Sequence, residues 1–289
     1  MTGLNKIRIV VVLVGVAVLA SACTVKNVYR QMDWVMAGMI EDYIDLSSSQ
    51  QENLEKRIKA FHQWHQFTQL GSYADDLNQI KQYVSRGLDD AAAEDIFKRI
   101  MDRWEAMKQR AAPDMVDMML TLNDKQKSQL YKNLAEQNEE LLEKYRETTQ
   151  QERNEKAGET MIENFERWLG SLNEHQKNVL KTWPPKFKPV HEDRMAFRLK
   201  WQAALKQILD DSGLSEQDKR TRLMTLINTP ANFQTEAHRE KLVHNSKQFK
   251  ALILSFDQTV TQAQRAYLAD RLDNFIVSFR ELAAEKPSK

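Results

Sequence analysis

Only one of the 289 residues is a cysteine, Cys23, so no disulfide can form within one chain and the fold must be held by its core. Glycine and proline are scarce, at 8 and 6 residues, which disfavours the turn-rich texture of β folds and favours long helices. No run of alternating β-branched residues carries a hairpin signal, so no sheet is predicted. A surplus of one charge is missing too, the formal net charge being +1. A nucleic-acid partner would demand an excess of phosphate-pairing Lys and Arg, and none is expected here. There is no Gly-rich phosphate loop and no Gly-x-Ser-x-Gly elbow. The chain reads as a binding or scaffolding protein without a cofactor rather than as an enzyme, with a hydrolase whose site is assembled from distant helices as the third alternative.

What is present begins at the N-terminus. Lys6 and Arg8 precede an apolar run over residues 9–19, which is too short for a membrane-spanning helix of ~20 residues. Ala20, Ser21 and Ala22 follow, and then Cys23. That order reads as a secretory signal over 1–22 with a small-residue cleavage site. An uncleaved anchor or an ordinary secreted protein are the alternatives. A lone Cys directly after small residues resembles a bacterial lipobox, with Ala20 standing where Leu is more usual. The resemblance implies that the Cys23 thiol takes a diacylglycerol and becomes the new N-terminus. Thr24 rather than Asp after it implies sorting to the outer membrane, facing the periplasm, with the inner membrane as the alternative address. Removing residues 1–22 leaves 40 basic against 41 acidic side chains.

The remaining 267 residues can bury a sizeable core. Their apolar period is helical. Leu54, Ile58, Phe61 and His65 share one face, as do Phe97, Ile100, Trp104 and Met107, and Leu268, Leu272, Phe275, Phe279 and Leu282. Each stripe is expected to face a core. The fold class is all-α, a multi-helix bundle of amphipathic helices without a sheet. Helices are predicted over 28–44, 47–69, 73–86, 89–111, 114–120, 124–148, 152–169, 174–182, 190–210, 215–228, 233–256 and 262–284. Gly71, Gly87, Pro113, Gly170, Gly213 and Pro230 are read as the breaks between them. The charged stretch 148–158 is either a solvated helix or a mobile loop. Pro184, Pro185 and Pro189 mark an interior break, because two prolines in sequence force extended backbone. It divides a part over 23–183 from a part over 190–289, with 184–189 as connector, or joins two layers of one domain.

One short pattern recurs four times: an aliphatic residue, a Ser, Asn or Thr, two variable residues, a Gln, and a Leu four further on. The copies pair Ser47 with Gln50, Asn123 with Gln126, Asn173 with Gln176 and Thr261 with Gln264. Each suits a capping box, in which the first side chain accepts an orphan N–H and the Gln reaches back. Starts lie 76, 50 and 88 residues apart, without the fixed period of a solenoid. The pattern resembles the L-T-x-x-Q motif of Spy/CpxP-type periplasmic proteins, which implies a helical cradle with a chaperone-like role. A broader resemblance rests on Asp33-Trp34, the segment 40–46, Trp64-His65, Arg167-Trp168-Leu169, the segment 201–205 and Gln264-Arg265. It is to an uncharacterised family of Gram-negative lipoproteins, a domain of unknown function. This chain departs from it in having Met36-Ala37-Gly38-Met39 where relatives are richer in Leu, Trp and Tyr.

Four constellations are candidates for binding. Glu41, Asp42 and Asp45 form an acidic cluster; ion pairing to an Arg of a neighbouring helix is the expected role if it has one. His62 and His65, at i and i+3, can begin a metal site, but zinc needs a third ligand and none is near in sequence. Lys181, Trp183, Lys186, Phe187 and Lys188 alternate bases with aromatics, which suits either a membrane interface or a connector plugged into the core. The clustered Met115, Met118 and Met119 suit an adaptable surface or an irregular core.

Overall fold

A computed structural model describes residues 22–285; the signal segment assigned to 1–22 lies outside the described residues apart from Ala22. Among these residues there are twelve α-helices and no strand. They are α1 (Ala22–Arg30), α2 (Met32–Glu41), α3 (Ser48–Thr68), α4 (Leu70–Arg86), α5 (Asp90–Leu120) and α6 (Asp124–Arg146). The remainder are α7 (Gln150–Leu169), α8 (Glu174–Thr182), α9 (His191–Asp210), α10 (Glu216–Asn228), α11 (Glu236–Asp257) and α12 (Gln262–Ala284). Short 3₁₀ turns occupy Pro184–Lys186 and Pro230–Phe233.

Several boundaries differ from those expected. The helix read over 28–44 is two, with a break at Gln31, because α1 turns onto α12 whereas α2 packs on α3. Gly71 does not stop a helix; it lies in the first turn of α4, and the break falls at Gln69. The two helices divided at Pro113 are one 31-residue helix, α5. Pro113 is exposed there, so water can satisfy the carbonyl that its missing N–H leaves free. Within the stretch 148–158, residues 150–158 are the start of α7, opened by a fifth capping box in which Thr149 and Glu152 bond reciprocally. Helix α11 begins at Glu236 rather than 233, because Thr235 caps it after the 3₁₀ turn. Gly87 and Gly170 end α4 and α7 with φ of 91° and 74°, left-handed values that glycine adopts without strain.

Apolar burial forms three clusters. Leu169, Leu172, Leu180, Trp183, Leu252 and Phe256 join α7, α8, α11 and the turn at Trp183. Val116 of α5 packs with Leu205, Leu209, Leu223 and Leu226 of α9 and α10. Ala37, Leu54 and Ile58 bind α2 to α3, with Met118 of α5 against them. Helix α12 lies along α4 and also touches α1, α3 and α7. Lys26 and Arg30 of α1 pair with Glu281 and Glu285 at the end of α12, at 2.5 and 2.6 Å. The N-terminal helix is therefore docked on the body from its buried Val25 onward. No helix of the described residues is long and apolar enough to cross a membrane.

Candidate functional site

The recurring Gln residues meet in pairs. Gln176 Nε2 donates to Gln264 Oε1 at 2.8 Å and Gln264 Nε2 returns the bond to Gln176 Oε1 at 3.0 Å. Gln50 and Gln126 do the same at 3.1 and 2.6 Å. Each amide oxygen also accepts the backbone N–H of its own cap residue, Ser47, Asn123, Asn173 or Thr261, at 3.0–3.1 Å. Each amide nitrogen also donates to a backbone carbonyl two residues before the partner's cap. Gln126 reaches Asp45 and Gln50 reaches Thr121; Gln176 reaches Thr259 and Gln264 reaches Ser171. Two donors and two acceptor sites are thereby filled on every amide. The four capped corners are joined as two locally two-fold latches, one pinning α3 to α6 and the other α8 to α12. These residues are structural; none offers a free group to a ligand.

The acidic cluster does not converge. Glu41 accepts from Gln51 Nε2 at 2.7 Å rather than from an arginine. Asp45 works through its backbone, whose N–H donates to Gln129 Oε1 and whose carbonyl accepts from Gln126. Asp42 ends α2, its N–H on the Gly38 carbonyl. The segment is a rung of the first latch, which is what its spacing next to Ser47 produced.

The two histidines face one aromatic cluster but different partners. His62 Nδ1 pairs with Asp33. His65 sits between two phenols, Tyr29 Oη at 2.9 Å from Nδ1 and Tyr73 Oη at 3.2 Å from Nε2. Burial, aided by His62, pushes the His65 imidazole down to about 4, and burial with Asp33 nearby raises the Tyr29 phenol. Among the described residues no three His, Cys, Asp or Glu side chains are grouped to hold a metal.

Trp183 and Phe187 are not a surface patch. Trp183 is buried in the α7–α8–α11 cluster with Phe187 packed against it, and its indole N–H donates to the Gln248 carbonyl at 3.1 Å. Lys186 Nζ covers the Trp183 ring from outside, 3.5 Å from its centroid. The prolines turn the chain in a 3₁₀ turn and fold both aromatics inward. Cys23 is in the first turn of α1; its side chain lies outside the described residues.

The surface that sequence reasoning missed is on α5. Of the stripe expected to face a core, Phe97 meets Phe249 and Met107 takes a hydrogen bond from Tyr73, but Ile100 and Trp104 are 55 % and 60 % exposed. Met101 beside them is 61 % exposed and Met115, further along, 45 %. The cause is where the neighbours attach. Helix α4 holds a different face of α5 through Asp76 between Arg99 and Arg103, and through Tyr83 on Asp95. Burial alone would raise the Asp76 carboxyl, but the two guanidinium groups outweigh it and hold it below the usual range. Helix α11 reaches α5 near its start, with Lys250 on Asp90 and Glu94, and α10 near its end, with Arg220 on Asp117. Between these attachments Ile100, Met101 and Trp104 face solvent together. Neighbouring apolar side chains left open on one face mark an interaction surface more often than chance exposure does.

Comparison with curated proteins and with solved structures finds no match to this chain. A family of unknown function, DUF6279, matches residues 42–239, a span that holds all of α3 to α10, three of the four latch glutamines and the whole open face of α5. That match covers most of the chain, and the protein belongs to the DUF6279 family.

Proposed function

We propose that this protein is a lipid-anchored protein of the bacterial cell envelope, facing the periplasm, that holds a short amphipathic helix of a partner polypeptide on the open face of α5. The observation that carries the reading is the exposure of Ile100, Met101 and Trp104 on one stretch of one helix. Trp and Met are enriched where proteins meet, and a helix offers apolar anchors at i, i+3, i+4 and i+7 to a partner that lies along it. Lys98, Asp102 and Glu105 flank the stripe with both signs of charge, as a polar rim does. The anchor rests on the lipobox-like order ending at Cys23. With α1 docked from Val25 onward, an acylated Cys23 would set the α1–α12 end of the body directly on the lipid headgroups, without a linker.

The test is a light-scattering assay with a reduced, unfolded client and the full chain reconstituted in lipid nanodiscs. Wild type should delay aggregation. The double variant Ile100→Glu, Trp104→Glu should lose the delay while melting at an unchanged temperature, because both side chains are exposed. Equal protection by the double variant would refute the α5 face. No protection by wild type would refute general holding of apolar segments and leave the second reading, an assembly factor with one dedicated envelope partner.

A further inference from the structure

A second opening lies away from the α5 stripe, between α6, α9 and the start of α11. It is a cavity of about 510 Å³, within the range of small-molecule sites. Leu141, Met195, Phe197 and Leu242 make its apolar walls, and the polar groups on it are His191, Arg194, Arg198 and His238, with Gln234. Two arginines and two histidines line it, and no carboxylate does. Two acids of α9 lie beside it: Asp193, close enough to His238 to feel its charge, is engaged by Lys241 at 2.6 Å, and Glu192 acts on His191.

His238 is the informative residue. It is only 3 % exposed, and neither ring nitrogen has a hydrogen-bond partner among the described residues. Its backbone N–H is used by the Thr235 cap, and Phe197 meets its ring edge to face, with centroids 6.5 Å apart. An imidazole carries at least one N–H, and burying it unpaired is costly. His191 repeats the pattern: its ring stacks flat on Tyr145 at 3.8 Å, and its Nε2 is buried without a partner. Arg194 is exposed at the rim; burial first and Arg153 next push the His191 imidazole down, Arg194 adds to this and Glu192 opposes it. Arg198 is fixed in place by Asn138 at 2.6 Å and by Gln137. Buried nitrogens without partners, cationic side chains at the mouth and apolar walls make a recess that fits one negative head on an apolar body.

We infer that this cavity binds an amphiphilic monoanion, an alkyl chain ending in a carboxylate, with the head between Arg194 and the two histidines and the chain along Leu141, Phe197 and Leu242. The Arg194 guanidinium supplies a charge-assisted contact, and a turn of the His238 or His191 ring on binding brings a nitrogen that is now buried and unpaired to the carboxylate. The site is separate from the polypeptide-binding face on α5 and stands whether or not that face binds anything.

The experiment uses the full chain in nanodiscs and a decanoate carrying a mid-chain diazirine. After irradiation, adducts should map to peptides containing Leu141, Phe197 or Leu242. Unlabelled decanoate should compete, and decanol, which lacks the charge, should compete at least about tenfold less well, as a charge-assisted bond implies. Arg194→Ala, on an exposed side chain, should melt as wild type does and cut labelling about tenfold. Adducts spread over the α5 face or the bilayer-facing end, equal competition by decanol, or undiminished labelling of the Arg194→Ala protein would each overturn the assignment.

Discussion

Gln176 and Gln264, 88 residues apart, hydrogen-bond each other through both atoms of both amides, and Gln176 is completely buried. Gln50 and Gln126 repeat the arrangement, with Gln50 only half-buried. The two latches differ in burial and not in bonding, so their energetic weight should differ. Gln176→Ala orphans the Asn173 N–H, the Thr259 carbonyl and half of the Gln264 amide. With each buried orphan costing about 1–3 kcal/mol, a loss of about 3 kcal/mol or more is expected by denaturant unfolding. Gln50→Ala should cost about 1 kcal/mol, since two of its partners, Ser47 and Thr121, are exposed to water and only Gln126 is buried. A double-mutant cycle of Gln176→Ala with Gln264→Ala should be strongly non-additive, because either single change already breaks the shared pair. Additive losses would mean that each Gln acts only as a local cap.

The local half of this device could be read from the sequence, and the long-range half could not. A capping box involves residues three apart, so Ser47, Asn123, Asn173 and Thr261 announce themselves by spacing. Which Gln meets which depends on how α3, α6, α8 and α12 are brought together. The fifth box, Thr149 with Glu152, escaped because it opens a helix with hardly any apolar residue in its first turns. The stripe on α5 shows the converse. Its period correctly assigned Ile100 and Trp104 to the face shared with Phe97, but period says nothing about whether a neighbouring helix arrives to cover that face. Pro113 misled: it sits inside a helix because the carbonyl it leaves free faces water. Of the two readings open for Trp183 and Phe187, the connector plugged into the core is the one the fold adopts. Nothing in the sequence singles out His238, whose significance lies in ring nitrogens without a hydrogen-bond partner among the described residues.

Arg265 and Asp257 make the most deeply buried ion pair of the α11–α12 corner. Arg265 holds both carboxylate oxygens, at 2.8 and 3.0 Å, together with the Val84 carbonyl, while Asp257 Oδ2 accepts the Leu88 N–H at 2.9 Å. The pair thus ties the α4–α5 loop at Gly87 to the corner carrying Gln264. Arg265→Met would strand a carboxylate that is 6 % exposed. A loss of about 3–5 kcal/mol is expected, seen as a lower denaturant midpoint. Arg265→Met together with Asp257→Leu should recover part of it, because the uncompensated charge is gone. A double variant no better than the single would show that the hydrogen bonds to Val84 and Leu88, rather than the charge, hold the corner.

His65 makes stability depend on pH. Its folded value is about 4, against an ordinary value of 6.5. The unfolded chain therefore binds the extra proton first as the pH falls. The contribution is complete above pH 6.5 and is lost progressively between 6.5 and about 4, amounting to on the order of 2–3 kcal/mol. The groups facing the ring are Tyr29, Tyr73 and His62, with Asp33 beyond His62. Melting temperature should fall between pH 7 and 4.5 in wild type and fall less steeply in His65→Gln, which cannot titrate. Parallel curves for the two proteins would assign the acid sensitivity elsewhere.

The anchor is the premise on which the envelope reading stands, and a chemical label decides it. In the proposed form the Cys23 sulfur carries a diacylglycerol, and each methylene that enters the bilayer contributes about 0.8 kcal/mol, so several chains hold the protein against dilution and salt where a single chain would not. Cells fed an alkyne-bearing palmitate analogue should yield a tagged wild-type protein in the membrane fraction, resistant to high salt. Cys23→Ser should be untagged and keep residues 1–22, which raises its mass by those residues. Salt is the discriminating variable. Attachment through Lys and Arg to anionic lipid would weaken within a Debye length of ~3 Å at 1 M, whereas burial of acyl chains would not. A tagged Cys23→Ser protein, or a wild type released by salt with its thiol unmodified, would remove the anchor. The α5 face and the histidine-lined cavity would then have to be explained for a freely diffusing protein.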